Sequence, residues 1–159
     1  MEKNRYILGI DPGNYKIGIA ILDTRNNTII YKNITKIFNF LDVIQTMINE
    51  YEIIKIVLGN GTGYKKILFL INSLNSLQNF SKNLSVEIIS EHNTTFQARK
   101  LYINEAKNWL AKLIRFIKSF FIDIDDYSAI VILQKYLANL NKIKNINNIP
   151  NIETNKDNF

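Results

Sequence analysis

Three acidic residues far apart in the chain have neighbours that suit them to chemistry: Asp11, Glu91 and Asp125. Asp11 closes the apolar run 7–10 and is followed by Pro12, Gly13 and Asn14, so it stands where a strand ends in a tight turn. Pro12 biases Asp11 towards extended backbone. The glycines at 9, 13 and 18 leave space beside it for a phosphate, a metal or another stretch of backbone. Glu91 ends a later strand, and Asp125 opens the last helix. Carboxylates gathered at one sheet edge repel one another, and a hard divalent cation such as Mg2+ or Mn2+ neutralises such a cluster. Two such ions about 4 Å apart activate a water and stabilise the leaving oxygen of a phosphodiester, with only carboxylates required of the protein. Asp126 is a candidate further ligand, while Asp123 reads as a solvent-facing charge. Each residue also has a plainer reading: Asp11 as a turn opener, Glu91 as a surface residue, Asp125 as a helix cap.

Whether these residues meet depends on the elements that carry them. The segment 16–22 alternates and then becomes wholly apolar before the turn residues Asp23 to Asn27, and a third strand follows over 28–35. Two short connections in succession predict an antiparallel three-stranded meander. Phe40, Val43, Ile44, Met47, Ile48 and Tyr51 then recur at helical spacing, predicting a helix over 39–50. A buried strand over 53–58 ends in Gly59, Asn60, Gly61, Thr62 and Gly63, and Ile67, Leu70, Ile71, Leu74 and Leu77 mark a second helix. A fifth strand over 84–90 delivers Glu91. Thr94 and Thr95 are candidate caps for the next element, an apolar stripe from Ala98 to Phe120 read as one long helix or two. Ile130, Leu133, Leu137 and Leu140 define the buried face of the last helix, and a polar tail occupies 142–159, expected to be flexible.

This is an α/β order in which the two later strands arrive through right-handed crossovers, predicting a five-stranded mixed sheet of order 3-2-1-4-5 with helices on both faces. The C-terminal ends of strands 1, 4 and 5 meet where the strand order switches, which is where ligands bind in such sheets. Asp11 and Glu91 fall at those ends.

With 159 residues, 47% hydrophobic and 11% aromatic, the chain has the size and composition of one packed domain. It contains no cysteine, which excludes disulfides and thiolate metal sites, and no apolar run long enough to span a bilayer. Without a secretory pattern at residues 1–20, a soluble cytoplasmic protein is the expectation. The net charge of +6 favours an anionic partner, with nucleic acid the leading class. The P-loop pattern fails because Tyr64, not glycine, precedes Lys65.

Four segments, ILGIDPGNYKIGIAILD, IIKIVLGNGTG, VEIISEHNTTFQARKLY and IDIDDYSAIVILQKYL, resemble in that order the blocks of the YqgF/RuvX family, RuvC-like members of the ribonuclease H-like superfamily. The resemblance spans most of residues 5–140 and implies one ribonuclease H-like domain over 1–141. In that family a strand-end Asp, an acidic residue before a Thr-rich helix start and an Asp opening the last helix occupy the positions of Asp11, Glu91 and Asp125. Gln134 falls in the final Ile-Leu-Gln run. The implied activity is a metal-dependent endonuclease acting on Holliday junction DNA or precursor 16S ribosomal RNA. His92 stands where many members carry Arg, and the loop 59–63 replaces a Leu-Pro.

Lys16, His92, Arg99, Lys100 and Lys107 are the candidate nucleic-acid contacts, with Lys118 and Arg115 beside Lys100 and Lys107 if the helix after Glu91 is continuous. The stripe that includes Trp109, Phe116 and Phe120 reads as core or as an interface, including that of a homodimer. Two other classes stay open. An actin-like or sugar-kinase-like ATPase also uses an Asp-x-Gly turn, but no second such hairpin is present; the other class is a non-catalytic nucleic-acid-binding module.

Overall fold

The computed structural model describes residues 5–77 and 84–147. Strands β1 (Tyr6–Pro12), β2 (Lys16–Asp23) and β3 (Thr28–Lys36) form the antiparallel meander, with Asp11 opposite Gly18 in the β1–β2 register. A single 3-10 turn, Ile37–Asn39, leads into α1 (Phe40–Glu50). Next come β4 (Ile53–Gly59), α2 (Tyr64–Leu77) and β5 (Ser85–Ile89), with β4 parallel to both β1 and β5. The sheet order is β3-β2-β1-β4-β5, the predicted ribonuclease H-like arrangement. Helices α3 (Thr94–Asn104), α4 (Trp109–Lys118) and α5 (Asp125–Asn147) complete the described chain.

The two-residue period of the strands divides the core. Leu8, Ile10, Ile17, Ile19, Ile21, Ile56 and Leu58 bury one sheet face against Phe40, Ile44 and Met47 of α1 and Ile67 and Ile71 of α2. Ile7, Ala20, Leu22 and Val57 bury the other against α5, through Ala129, Ile132, Leu133 and Tyr136, and against Ala98 of α3. Asp11 continues the series of Ile7 and Gly9, so its side chain belongs to the α5 face.

Of the occupants the glycines leave room for, it is another stretch of backbone, a helix, that Gly9 and Gly18 admit on that face. A Cβ on Gly9 would collide with Leu133 and the carbonyl of Ala129, and one on Gly18 would overlap the carbonyl oxygen of Asp125. The first turn of α5 therefore rests directly on β2, opposite Asp11.

The stripe after Glu91 forms two helices. Asn108 caps α4, its Oδ1 accepting the Ala111 N–H at 2.8 Å, and residues 105–108 bend the chain between the helices. Neither Thr94 nor Thr95 caps α3; Asn93 precedes it in the left-handed conformation, with φ of 61°. No residue of α4 is buried, so its stripe is not core. Arg115 faces the domain, its guanidinium donating to the Tyr102 carbonyl (2.7 Å) and to Glu105 (3.1 Å), while Trp109, Leu110, Leu113, Ile114 and Ile117 are exposed, as are Lys112 and Lys118. At its far end α5 runs helically through 141–147, into the segment expected as a flexible tail; 148–159 lie outside the described residues.

Candidate active site

Three elements fix Glu91. Its backbone N–H donates to Asn60 Oδ1 at 2.9 Å, and the Asn60 N–H donates to the Ile89 carbonyl at 3.0 Å, stitching the loop after β4 to the end of β5. Its carboxylate lies over Gly59 and Gly61, where a Cβ on either would overlap it, and accepts the Gly61 N–H. From α5, the Lys135 ammonium donates to the Ser90 carbonyl (3.1 Å), the His92 carbonyl (2.6 Å) and Thr94 Oγ1 (2.9 Å). Glycine in the loop and one long cation on the helix thus set where the carboxylate points.

Glu91 meets Asp11. Burial, then the charges of Glu91 and Asp125, push the Asp11 carboxyl from 3.8 up to about 8. Protonated, it donates to Glu91, and the Ser128 hydroxyl on α5 donates to it. Burial also raises Glu91, opposed by the Gly61 N–H, the Asp11 hydrogen bond and the Lys135 charge. Glu91 Oε1 is buried with no hydrogen-bond partner. Two facing carboxyls and an unpartnered anionic oxygen are short of positive charge, which a shared proton or a divalent cation supplies.

Asp125 sits half-buried in the first turn of α5, within electrostatic range of Asp11. Burial raises its own pKa, as do Asp123 and Asp126, and Lys16 works in the opposite direction. The side chains nearby point elsewhere. Lys16 donates to Asp123, and Asp126 pairs with Lys32 of β3 at 3.3 Å while its Oδ1 accepts the Tyr127 N–H at 3.0 Å. Among the described residues, no three Asp, Glu or His side chains are grouped as a ready-made ligand set. The structure brings two of the expected ligands into contact, holds Asp125 within range and turns Asp126 towards Lys32.

The expected cationic contacts are dispersed. Lys16 opens β2 beside the acidic turn of α5, His92 is exposed in the Glu91 loop, Arg99 and Lys100 line the outer side of α3, and Lys107 lies in the bend before α4. The bend separates Lys100 from Lys107 and Lys118, so the continuous basic helix face does not form, and Arg115 is spent on Tyr102 and Glu105. Nothing in the sequence singles out Asn60, Ser128 or Lys135. Gln134, which the Ile-Leu-Gln run does single out, is exposed; its neighbour Lys135 reaches the Glu91 loop. Only the one-residue phase of the helix separates the two, and the run alone does not reveal it.

The profile of the RuvX Holliday junction resolvase family matches residues 5–139. The chain belongs to this family. Membership makes it a nuclease, a hydrolase that acts on nucleic acid. Among solved structures it is similar to the fowlpox virus Holliday junction resolvase, at 19% identity and a TM-score of 0.54 over 85% of this chain and 99% of that one. It is also similar to the same resolvase in complex with substrate Holliday junction DNA, at 17% identity and 0.57 over 85% and 98%. At these identities the likeness establishes the ribonuclease H-like fold. No curated protein matches the chain in sequence. Among the described residues no helix is long and apolar enough to cross a membrane.

Proposed function

We propose that this RuvX-family chain is a divalent-metal-dependent endonuclease that hydrolyses phosphodiester bonds of four-way junction DNA. Asp11 and Glu91 are its metal ligands and Asp125 is the third. The observation that carries this reading is the half-buried Asp11–Glu91 pair with its buried, unpartnered Glu91 Oε1, an arrangement short of one cation. Bound there, magnesium or manganese supplies a Lewis acid for the phosphate oxygens and a means of deprotonating water. The protein's own part is positioning. Lys135 and Asn60 hold Glu91, Ser128 orients Asp11, and the contact of α5 with Gly18 keeps Asp125 beside them. Lys16, Arg99 and Lys100 contribute charge to binding the phosphate backbone, His92 offers a hydrogen-bonding ring in the Glu91 loop, and Lys107 lies further out.

A junction has two strands to be cut in symmetry, and the described residues carry one such site, so the working unit is a homodimer. The outward stripe of α4 fits that role. The test of the reading is cleavage of labelled four-way junction DNA beside precursor 16S ribosomal RNA, with and without magnesium. Wild-type chain is expected to cut the junction only with magnesium, and Asp11→Asn to be slower by about 1,000-fold or more. Equal cleavage by Asp11→Asn would remove the reading, and cutting of the RNA alone would reassign the substrate.

A further inference from the structure

Between α3 and α4 lies a cavity of about 410 Å³ that the carboxylate site does not use. Phe96 and Ile103 of α3 line it, with Phe116 of α4 and Phe120 just beyond that helix, and Arg99 and Lys100 at its polar side. No carboxylate is among its lining residues. Phe116 and Phe120 meet edge to face with centroids 5.2 Å apart, and the Arg99 guanidinium lies 4.8 Å from the Phe120 ring centre. Arg99 Nε is buried and has no hydrogen-bond partner, so a donor is withheld from water without a protein acceptor. Phe96 is 72% exposed, an aromatic face presented to solvent at the cavity.

The chemistry of the lining selects the occupant. Aromatic walls favour a flat group that stacks, two cations with no opposing acid favour a group joined to anions, and the volume is that of a small-ligand site. A nucleobase with its flanking phosphates has all three properties. The place also fits: α3 continues directly from the Glu91 loop, the Thr94 N–H donating to the Glu91 carbonyl at 2.9 Å, and Phe96 lies two residues further on. We infer that the α3–α4 cavity receives an unstacked base of the nucleic-acid substrate, close to the phosphate that is cut, with Phe96 and Phe120 stacking on it and Arg99 and Lys100 holding the adjoining phosphates. The inference rests on the nuclease reading and adds a subsite that engages a base as well as the backbone. Base–aromatic stacking tolerates any sequence, so the site favours unpaired nucleotides without selecting among them.

The test is equilibrium binding of four-way junctions, in calcium, in which the nucleotides flanking the crossover are replaced one at a time by an abasic residue. Wild-type chain is expected to bind at least one abasic junction about tenfold more weakly than the intact one. Phe96→Ala, at an exposed position where folding is not at stake, is expected to bind the intact junction at that weakened level and to lose nothing more at the same abasic position; Phe120→Ala should do the same. Wild-type indifference to every abasic replacement, or losses that simply multiply in Phe96→Ala, would overturn the inference. Cleavage of the intact junction in magnesium separates the two levels of failure. Cutting without base coupling removes only the cavity's role, whereas a wild-type chain that neither binds nor cuts the junction removes the nuclease reading and the cavity's role with it.

Discussion

Replacing Asp11 with Asn should make the metal-free protein more stable, and the size of the gain comes from the site. The Asp11 carboxyl is half-buried beside Glu91, and burial with the neighbouring charges pushes it up to about 8 in the folded chain, against 3.8 for its ordinary value. Between those pH values the folded chain holds a proton that the unfolded chain has released. Its contribution to stability is therefore fully present below about pH 4 and is lost as pH rises through about 8. At ~1.4 kcal/mol per pH unit the whole separation sets a ceiling of about 6 kcal/mol. Relaxation around the coupled pair leaves a realistic share of about 2 kcal/mol. Asn carries no charge to desolvate, and its amide can donate to the unpartnered Glu91 Oε1. Urea unfolding followed by circular dichroism in EDTA, from pH 4 to pH 9, is the assay. At pH 8.5 Asp11→Asn should exceed wild type by about 2 kcal/mol, or roughly 6 °C in Tm for a domain of this size. At pH 4 the two should coincide. Millimolar magnesium should raise wild type at pH 8.5 and leave Asp11→Asn unmoved. Parallel pH curves, or a less stable Asp11→Asn at pH 8.5, would refute the half-buried like-charge pair.

Three other substitutions probe how the site is held. Gly18→Ala places a methyl group on the Asp125 carbonyl and should cost about 2–4 kcal/mol in urea unfolding, with cleavage reduced because the first turn of α5 must lift. Lys135→Met keeps the length of the side chain and deletes its donors to Ser90, His92 and Thr94. It should destabilise by about 1–3 kcal/mol and raise the magnesium concentration at half-maximal cleavage by about tenfold or more, read from a metal titration. Leu113→Lys on the outward stripe of α4 should shift a dimer to monomer in sedimentation velocity while leaving stability within about 0.5 kcal/mol; an unchanged sedimentation coefficient would exclude this face as the contact.

Much of the fold was legible in the residues, because the signals involved are local. The apolar run of β1, the segment 16–22 that becomes β2, the Pro12-Gly13 turn and the short connection before β3 specify an antiparallel meander, and the switch to helical spacing at Phe40 requires crossovers and hence parallel strands. The positions of Asp11 and Glu91 at strand ends come from the same reasoning, since a strand's end is marked by its turn. The break between α3 and α4 was less legible: Asn108 is a good cap, but an apolar stripe that continues through it gives no local reason to stop. The exposure of the apolar stripe of α4 was hidden altogether, because an amphipathic pattern shows that a helix has two faces and not which one meets the domain.

What the sequence by itself determined was therefore the strand order and the end of the sheet where the carboxylates lie. The tertiary structure decided which groups touch there. Asn60 reaches Glu91 across 31 positions and Lys135 reaches the His92 carbonyl across 43, and neither spacing has a period that could announce it. Asp125 and Asp126 are adjacent in sequence but about 100° apart around α5, so the packing of that helix on Gly9 and Gly18 sends one towards Lys32 and leaves the other near Asp11. That choice depends on the depth and rotation of a helix against a sheet, which are set by steric contact between distant segments and cannot be read from any single stretch of chain.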